Sequence, residues 1–489
     1  MKRILYGFLM FSVGLMAVSC GSDSADETIL GYTTDNTIAI VKVNLDRLDE
    51  KLPKKEMMND KSDKFSASEK EKMELFMNAE DNGIDITKPL YLMTDKDKDR
   101  FSFSIIGWLD DEAKFEKNFS KISETKITIN KEKNLVYSDK ELIGSIKDGM
   151  IVLAKAAGNP MDGLMGRSAY APSNNGEVTE KFYADFWNRK PTEKEAMIGQ
   201  IEKSLQADAD MSAWVNVYTV VNTLSKGYIE TLAVNKLILD AGVGFNLNFD
   251  KGKIDFRTNT FFNEEMQKLV KKYYDSKGVD YDIVKNIELD QAKMYSVGFF
   301  SIDFLKYFIK EAGFEPMANS VLQYQGLTLE DITNALNGKY AFAMFPEQPA
   351  PADDPYAYPK PSGVLVLGIN GDKAGKLINA IEAEPNFSYY AKMFHNKDML
   401  VFATEDSQLE QLKANKAAAN KKLNKVSGVN SYTWATGEDF NKGFQGHAKA
   451  KVISIESTSK IDGGNGSSET VIKLDKDKKN ALHYLFGYE

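Results

Sequence analysis

The sequence predicts an α+β protein of two similar lobes, mostly antiparallel sheets with helices packed on one face. Three observations carry this expectation. One order of elements is stated twice along the chain, short β-rich runs alternate with single amphipathic helical stripes, and one hairpin is written out in full by residue alternation. The length of 489 residues exceeds what one core usually serves, and 43% hydrophobic with 11% aromatic residues supplies the apolar surface for real cores. We place a signal over 1–19, an acidic tether over 20–30, a first lobe over 31–280 and a second over 281–489.

Within each lobe the elements come in the same sequence. TIAIVKVNLDRLDEKL (37–52) and KMYSVGFFSIDFLKYFIK (293–310) each read as a strand entering a helix. GIDITKPLYLMT (83–94) matches GLTLEDITNALNGKYAFAMF (326–345). FSFSIIGWLDDEAKFEKNFSKI (101–122) then matches SGVLVLGINGDKAGKLINAIE (362–382), with the stripes Phe115, Phe119, Ile122 and Leu377, Ile378, Ile381 on one helical face. KDGMIVLA (147–154) and KDMLVFA (397–403) are short buried strands. MSAWVNVY (211–218) and VNSYTWAT (429–436) each lead to a hairpin and a terminal helix, the second expected from Asp475. Residues 156–207 insert a loop and two helical stretches into the first lobe. PEQPAPADDPYAYPKP (346–361) holds six of the thirteen prolines and is expected to stay extended outside the sheet.

In the first hairpin, Phe245, Leu247, Phe249, Ile254 and Phe256 alternate with Asn246, Asn248, Asp255 and Arg257 around Asp250-Lys251-Gly252-Lys253, a half-buried antiparallel pair. Asn263 then caps a helix with Glu264 and Glu265 in its first turn and Lys271 and Lys272 later, as the helix dipole favours.

The N-terminus carries an address. Lys2 and Arg3 precede a 15-residue apolar run from Ile4 to Val18, shorter than the roughly 20 residues of a membrane-spanning helix. The run ends at Ser19-Cys20, and Cys20 is the only cysteine. We read Cys20 as a lipid attachment site, against the alternative of a cleaved soluble signal. Stable anchoring needs more than one acyl chain, and a lone acylated cysteine leaves no disulfide to stabilise the fold. The formal charge of −9 becomes −11 once Lys2 and Arg3 leave with the signal, which argues against nucleic acid as principal partner. Gly-Ser-Asp-Ser-Ala-Asp-Glu after Cys20 reads as a solvated spacer.

Constellations for catalysis and metal binding are mostly excluded by the residues themselves. His395, His447 and His483 show no ligand spacing, and no G-x-S-x-G, Walker or G-x-G-x-x-G fingerprint occurs, so we expect no metal and no cofactor. Ser123 to Lys126 and Ser457 to Lys460 fit S-x-x-K without its companion motifs. Asp95, Asp97 and Asp99 begin like a calcium loop, but Arg100 and Ile106 occupy the positions that need glycine and glutamate, which leaves a solvated turn. Asp110-Asp111 and Glu264-Glu265 read as helix starts. Two aromatic groups remain as possible ligand or partner contacts. Tyr183 and Trp187, in a run with Phe182 and Phe186, would either lid a core or stack on a sugar; Tyr356 and Tyr358 lie in the stiff proline-rich segment.

The signal with Cys20, the opening TTDNTIAIVKVNLDRLDEKL (33–52), the 470-residue length left after residue 19 and the duplicated pattern resemble a family of uncharacterised Bacteroidetes lipoproteins, and the acidic segment behind Cys20 resembles the tag that sends such lipoproteins to the cell surface. Asn44 stands where the family pattern has Asp, and Leu48 stands in its Leu position. The resemblance implies an outer-membrane lipoprotein, with periplasmic or surface exposure open, and carries no catalytic residue. The expected function is non-enzymatic, binding or scaffolding an envelope protein or other envelope component. Glycan capture is the alternative, and a concealed Asp- or Glu-based enzyme a third reading.

Overall fold

The computed structural model describes residues 22–52, 83–97, 100–157, 178–205, 208–274, 277–348, 360–384, 391–414, 420–421, 423–443 and 448–486. Cys20, Tyr356, Tyr358 and His447 lie outside them. The protein is α+β, with 18 strands in one open antiparallel sheet and 15 α-helices among the described residues.

In chain order the elements begin with α1 (Ser22–Leu30), β1 (Thr37–Val43), α2 (Leu45–Lys51), β2 (Leu90–Asp97), β3 (Arg100–Trp108) and α3 (Glu112–Ser123). A meander of β4 (Ile127–Asn130), β5 (Leu135–Ser138), β6 (Glu141–Lys147) and β7 (Met150–Ala157) leads to α4 (Glu180–Trp187), α5 (Glu195–Leu205), β8 (Met211–Asn216), α6 (Val217–Leu224) and α7 (Asn235–Ile238). The hairpin β9 (Gly242–Asp250) and β10 (Lys253–Phe261) ends in α8 (Glu264–Tyr274). Then come β11 (Met294–Phe299), α9 (Ile302–Glu311), α10 (Glu315–Gln323), α11 (Leu329–Ala335), β12 (Leu336–Gln348), β13 (Lys360–Ile369) and α12 (Gly371–Glu382). The chain closes with β14 (Lys392–His395), β15 (Met399–Ala403), α13 (Asp406–Lys413), β16 (Ser431–Thr436), α14 (Glu438–Gly443), β17 (Val452–Asp462), β18 (Asn465–Leu474) and α15 (Ala481–Leu485).

From edge to edge the strands run β4-β5-β6-β7-β3-β2-β1-β8-β9-β10-β18-β17-β16-β11-β12-β13-β15-β14. The middle seam pairs β10 with β18, Lys253 opposite Lys473 through Thr260 opposite Gly466. The hairpin has its expected register, with Leu247 opposite Phe256 and Phe249 opposite Ile254. Its burial differs from expectation: Asn246 and Asp255 are the deeply buried residues, while the aromatic face is half-buried. Asn246 is covered by α5, which lies so close to β9 that a Cβ on Gly244 would stand 2.3 Å from Ser204 Oγ, while Asp255 accepts a bond from Lys253 Nζ at 2.6 Å.

Helices on one face only is corrected. Neighbours in a strand point to opposite faces, and here both sets are packed. Ile40, Tyr91, Met93 and Ile106 join a core with α1, α4 and α5, whereas Val41, Leu92 and Ile105 pack on the core of α2 and α3. Further along the sheet, Val401 and Ala403 face the core that includes α13, and Leu400 and Phe402 that of α11 and α12.

Three smaller expectations are also revised. The tether over 20–30 is a helix from Ser22, because Ala25 and Ile29, one turn apart, are both buried against the sheet. Asp95 is no solvated turn residue; β2 extends to Asp97, and Asp95 is buried against Arg189. The last helix begins at Ala481 instead of Asp475, capped by the Asn480 side chain. Its Leu482 enters the core of Val43 and Phe115, so packing crosses the division expected near residue 280.

The capping expectations hold. Asp111 accepts hydrogen bonds from the backbone of Ala113 and Lys114 at the start of α3, and Asn263 Oδ1 accepts from Met266 N before α8. Glu264 and Glu265 stand in the first turn of α8, with Lys271 and Lys272 in its last.

Candidate functional site

Tyr183 and Trp187 seal a core. Thr179 caps α4 and sets its apolar side inward, which leaves Tyr183 1% exposed and Phe186 equally buried. Burial pushes the Tyr183 hydroxyl well above its ordinary range. Trp187 Nε1 donates to Ser145 Oγ at 2.9 Å, and its ring meets Tyr32 edge-on at 5.7 Å. Tyr32 stacks on Phe186 at 5.2 Å, and the Arg189 guanidinium lies 4.0 Å from the Phe186 ring centre while bonding Asp95 at 3.0 Å. Trp187 and Arg189 thus have their polar groups paired within the cluster, and Tyr183, at 1% exposure, presents no face to a ligand.

A cleft of about 530 Å³ forms elsewhere, where β12 ends and β13 begins, at the two ends of the proline-rich segment. Four stretches build it. The turn after Val284 brings Asn286, Glu288 and Gln291; the end of β12 brings Phe345, Glu347 and Gln348; β13 brings Ser362 and Val364; the start of α13 brings Glu405, Ser407, Gln408, Gln411 and Leu412. Strand alternation sends Val364 into the core as floor while Ser362, two residues earlier on the same face, remains polar at the cleft wall.

The polar groups are held in place. Ser362 Oγ donates to Glu405 Oε1, Gln408 Nε2 donates to Ser362 Oγ at 3.0 Å, and Ser407 Oγ lies 3.4 Å from Glu405 Oε2. On the opposite wall Gln291 Nε2 donates to Glu288 Oε2 at 2.8 Å. Among the described residues the lining thus offers amides, hydroxyls and three carboxylates around the half-buried Phe345 ring, and none of them is basic. A second depression, of about 730 Å³ beside α14 and β17, is lined by Glu438, Lys442, Lys451 and Asp475. Its Asn441 is committed to both backbone groups of Val452, and Lys442 to Asp439.

Among the described residues, no group of three or more His, Cys, Asp or Glu side chains is arranged to hold a metal ion, and no helix is long and apolar enough to cross a membrane. His395 lies 4.0 Å from Glu382 at the surface, and His483 sits on α15. Sequence reasoning missed the cleft because its residues are contributed by segments up to 126 positions apart; the one local signal was the run of prolines from Pro346. No protein-family model, curated protein or solved structure matches the chain.

Proposed function

We propose that this chain is a non-enzymatic binding protein of the cell envelope, attached to the outer membrane through lipid on Cys20 and holding another envelope component in the cleft between β12, β13 and α13. The observation that carries the reading is the cleft itself: hydrogen-bonding side chains fixed by one another on a continuous sheet, where β12 ends and β13 begins. Such walls favour recognition, since little side-chain freedom is lost on binding.

An internal duplication accounts for the rest of the architecture. The neighbour order β7-β3-β2-β1-β8-β9-β10 is matched by β15-β13-β12-β11-β16-β17-β18. Trp214 and Trp434 are each the fourth residue of β8 and β16, opposite Ile40 and Tyr295 in the equivalent strands. On this reading the two copies meet at β10 and β18, and the cleft belongs to the second copy.

The test is a photo-crosslinking residue at Gln411 in cells, in the otherwise native chain and in Cys20→Ser. A discrete adduct that requires Cys20 supports the proposal. No adduct, or the same adduct from the unanchored chain, removes it.

A further inference from the structure

We infer that the cleft takes one or two rings of an uncharged carbohydrate, so that the envelope component of the proposed function, on which this inference rests, is a neutral glycan. A volume of about 530 Å³ suits a ligand of disaccharide size. Vicinal sugar hydroxyls both donate and accept, and they are best met by groups that do the same in fixed pairs. An amide offers two donors and an acceptor, and a carboxylate about four acceptor positions. Gln348 and Gln411 supply the first kind; Glu347 and Glu405 supply the second, with Glu405 already oriented by Ser362. Phe345, half-buried at the rim, gives an apolar surface for the C–H face of a ring.

Charge narrows the class. Three carboxylates, with no basic residue among the described residues of the lining, repel a uronate, sulfate or phosphate, so acidic glycans are disfavoured. Aromatic and amide groups on the wall distinguish this cleft from a simple acidic trap, which would favour a cationic peptide.

The experiment is calorimetric titration of the full lipidated chain in neutral detergent with cellobiose, maltotriose, mannobiose, digalacturonate and an acetylated, amidated Gly-Arg-Gly peptide. At least one neutral sugar should bind with a Kd at or below about 1 mM. Gln411→Ala and Glu347→Gln should each weaken it about fivefold with no change in the unfolding midpoint. Binding of digalacturonate or the arginine peptide in preference to every neutral sugar overturns the inference, as does binding that both variants leave intact. A Cys20-dependent crosslink at Gln411 without any sugar binding defeats this inference and leaves the proposed function standing; loss of both defeats both.

Discussion

Lys42 on β1 reaches Asp26 on α1 at 2.7 Å, with both side chains less than a tenth exposed. The Tyr91 hydroxyl donates to the other Asp26 oxygen, and Leu205 O accepts from Lys42 Nζ at 3.1 Å. The first helix of the described chain is therefore bolted to the sheet through charge, and burial together with the Asp26 carboxylate pushes the Tyr91 hydroxyl far above its ordinary value.

Removing one partner leaves the other charge buried and alone. Asp26→Ala should cost about 3–5 kcal/mol in urea unfolding. Pairing it with Lys42→Met should recover much of that loss, since an apolar pair carries no desolvation penalty; a double variant as unstable as the single one contradicts this account.

Trp187→Ala separates packing from binding. It deletes the bond to Ser145 and the edge contact with Tyr32, and should destabilise by about 2 kcal/mol, below the range of a fully buried tryptophan. Ligand affinity at the cleft should be unchanged. Calorimetry on the variant reads affinity, and denaturant unfolding reads stability.

Asp331, in the first turn of α11, is held at about 2 by hydrogen bonds from Lys376 and then Thr328. A carboxyl lowered from 3.8 contributes stability that is fully present above about pH 4 and disappears as pH falls toward 2. Lys376→Ala should move the Asp331 titration upward, followed by NMR of its side-chain carboxyl carbon. An unmoved titration would show that Lys376 does not set it.

Gly338 adopts φ +89° in β12, and a Cβ there would lie 2.1 Å from Phe300 O. Phe300 N donates to Gly338 O at 2.8 Å in the same close approach. Gly338→Ala should destabilise by at least about 1–3 kcal/mol, from left-handed strain and backbone collision together. Thermal unfolding of the variant provides the check.

Local physics was legible. The alternation about Asp250 to Lys253, the caps at Asp111 and Asn263, and the stripes through Phe115 and Leu377 depend on neighbours within a few residues, and all four elements form. Non-local physics was not. TIAIVKV holds a near-continuous apolar run in place of strict alternation, a signature of a strand covered on both faces that one-sided reading discounts. Lys42 interrupts that run like an outward residue, yet its ammonium is buried because Asp26 waits inside. Glu405 and Ser362 became wall partners only through the pairing of β13 with β15, which nothing near either residue announces.

The seam between β10 and β18 also governs how this molecule must be made. Arg257 and Glu469 bond across it although they are 212 residues apart in the chain. While the polypeptide emerges in order, β10 offers an unsatisfied row of amides and carbonyls to any passing strand, for as long as the remainder takes to arrive. Long-range pairing of this kind is slow to close and prone to mispairing with a second molecule. Biogenesis should therefore depend on a holdase that shields nascent strands until the C-terminal hairpin is delivered, and truncation before residue 465 should yield aggregates instead of a smaller folded protein.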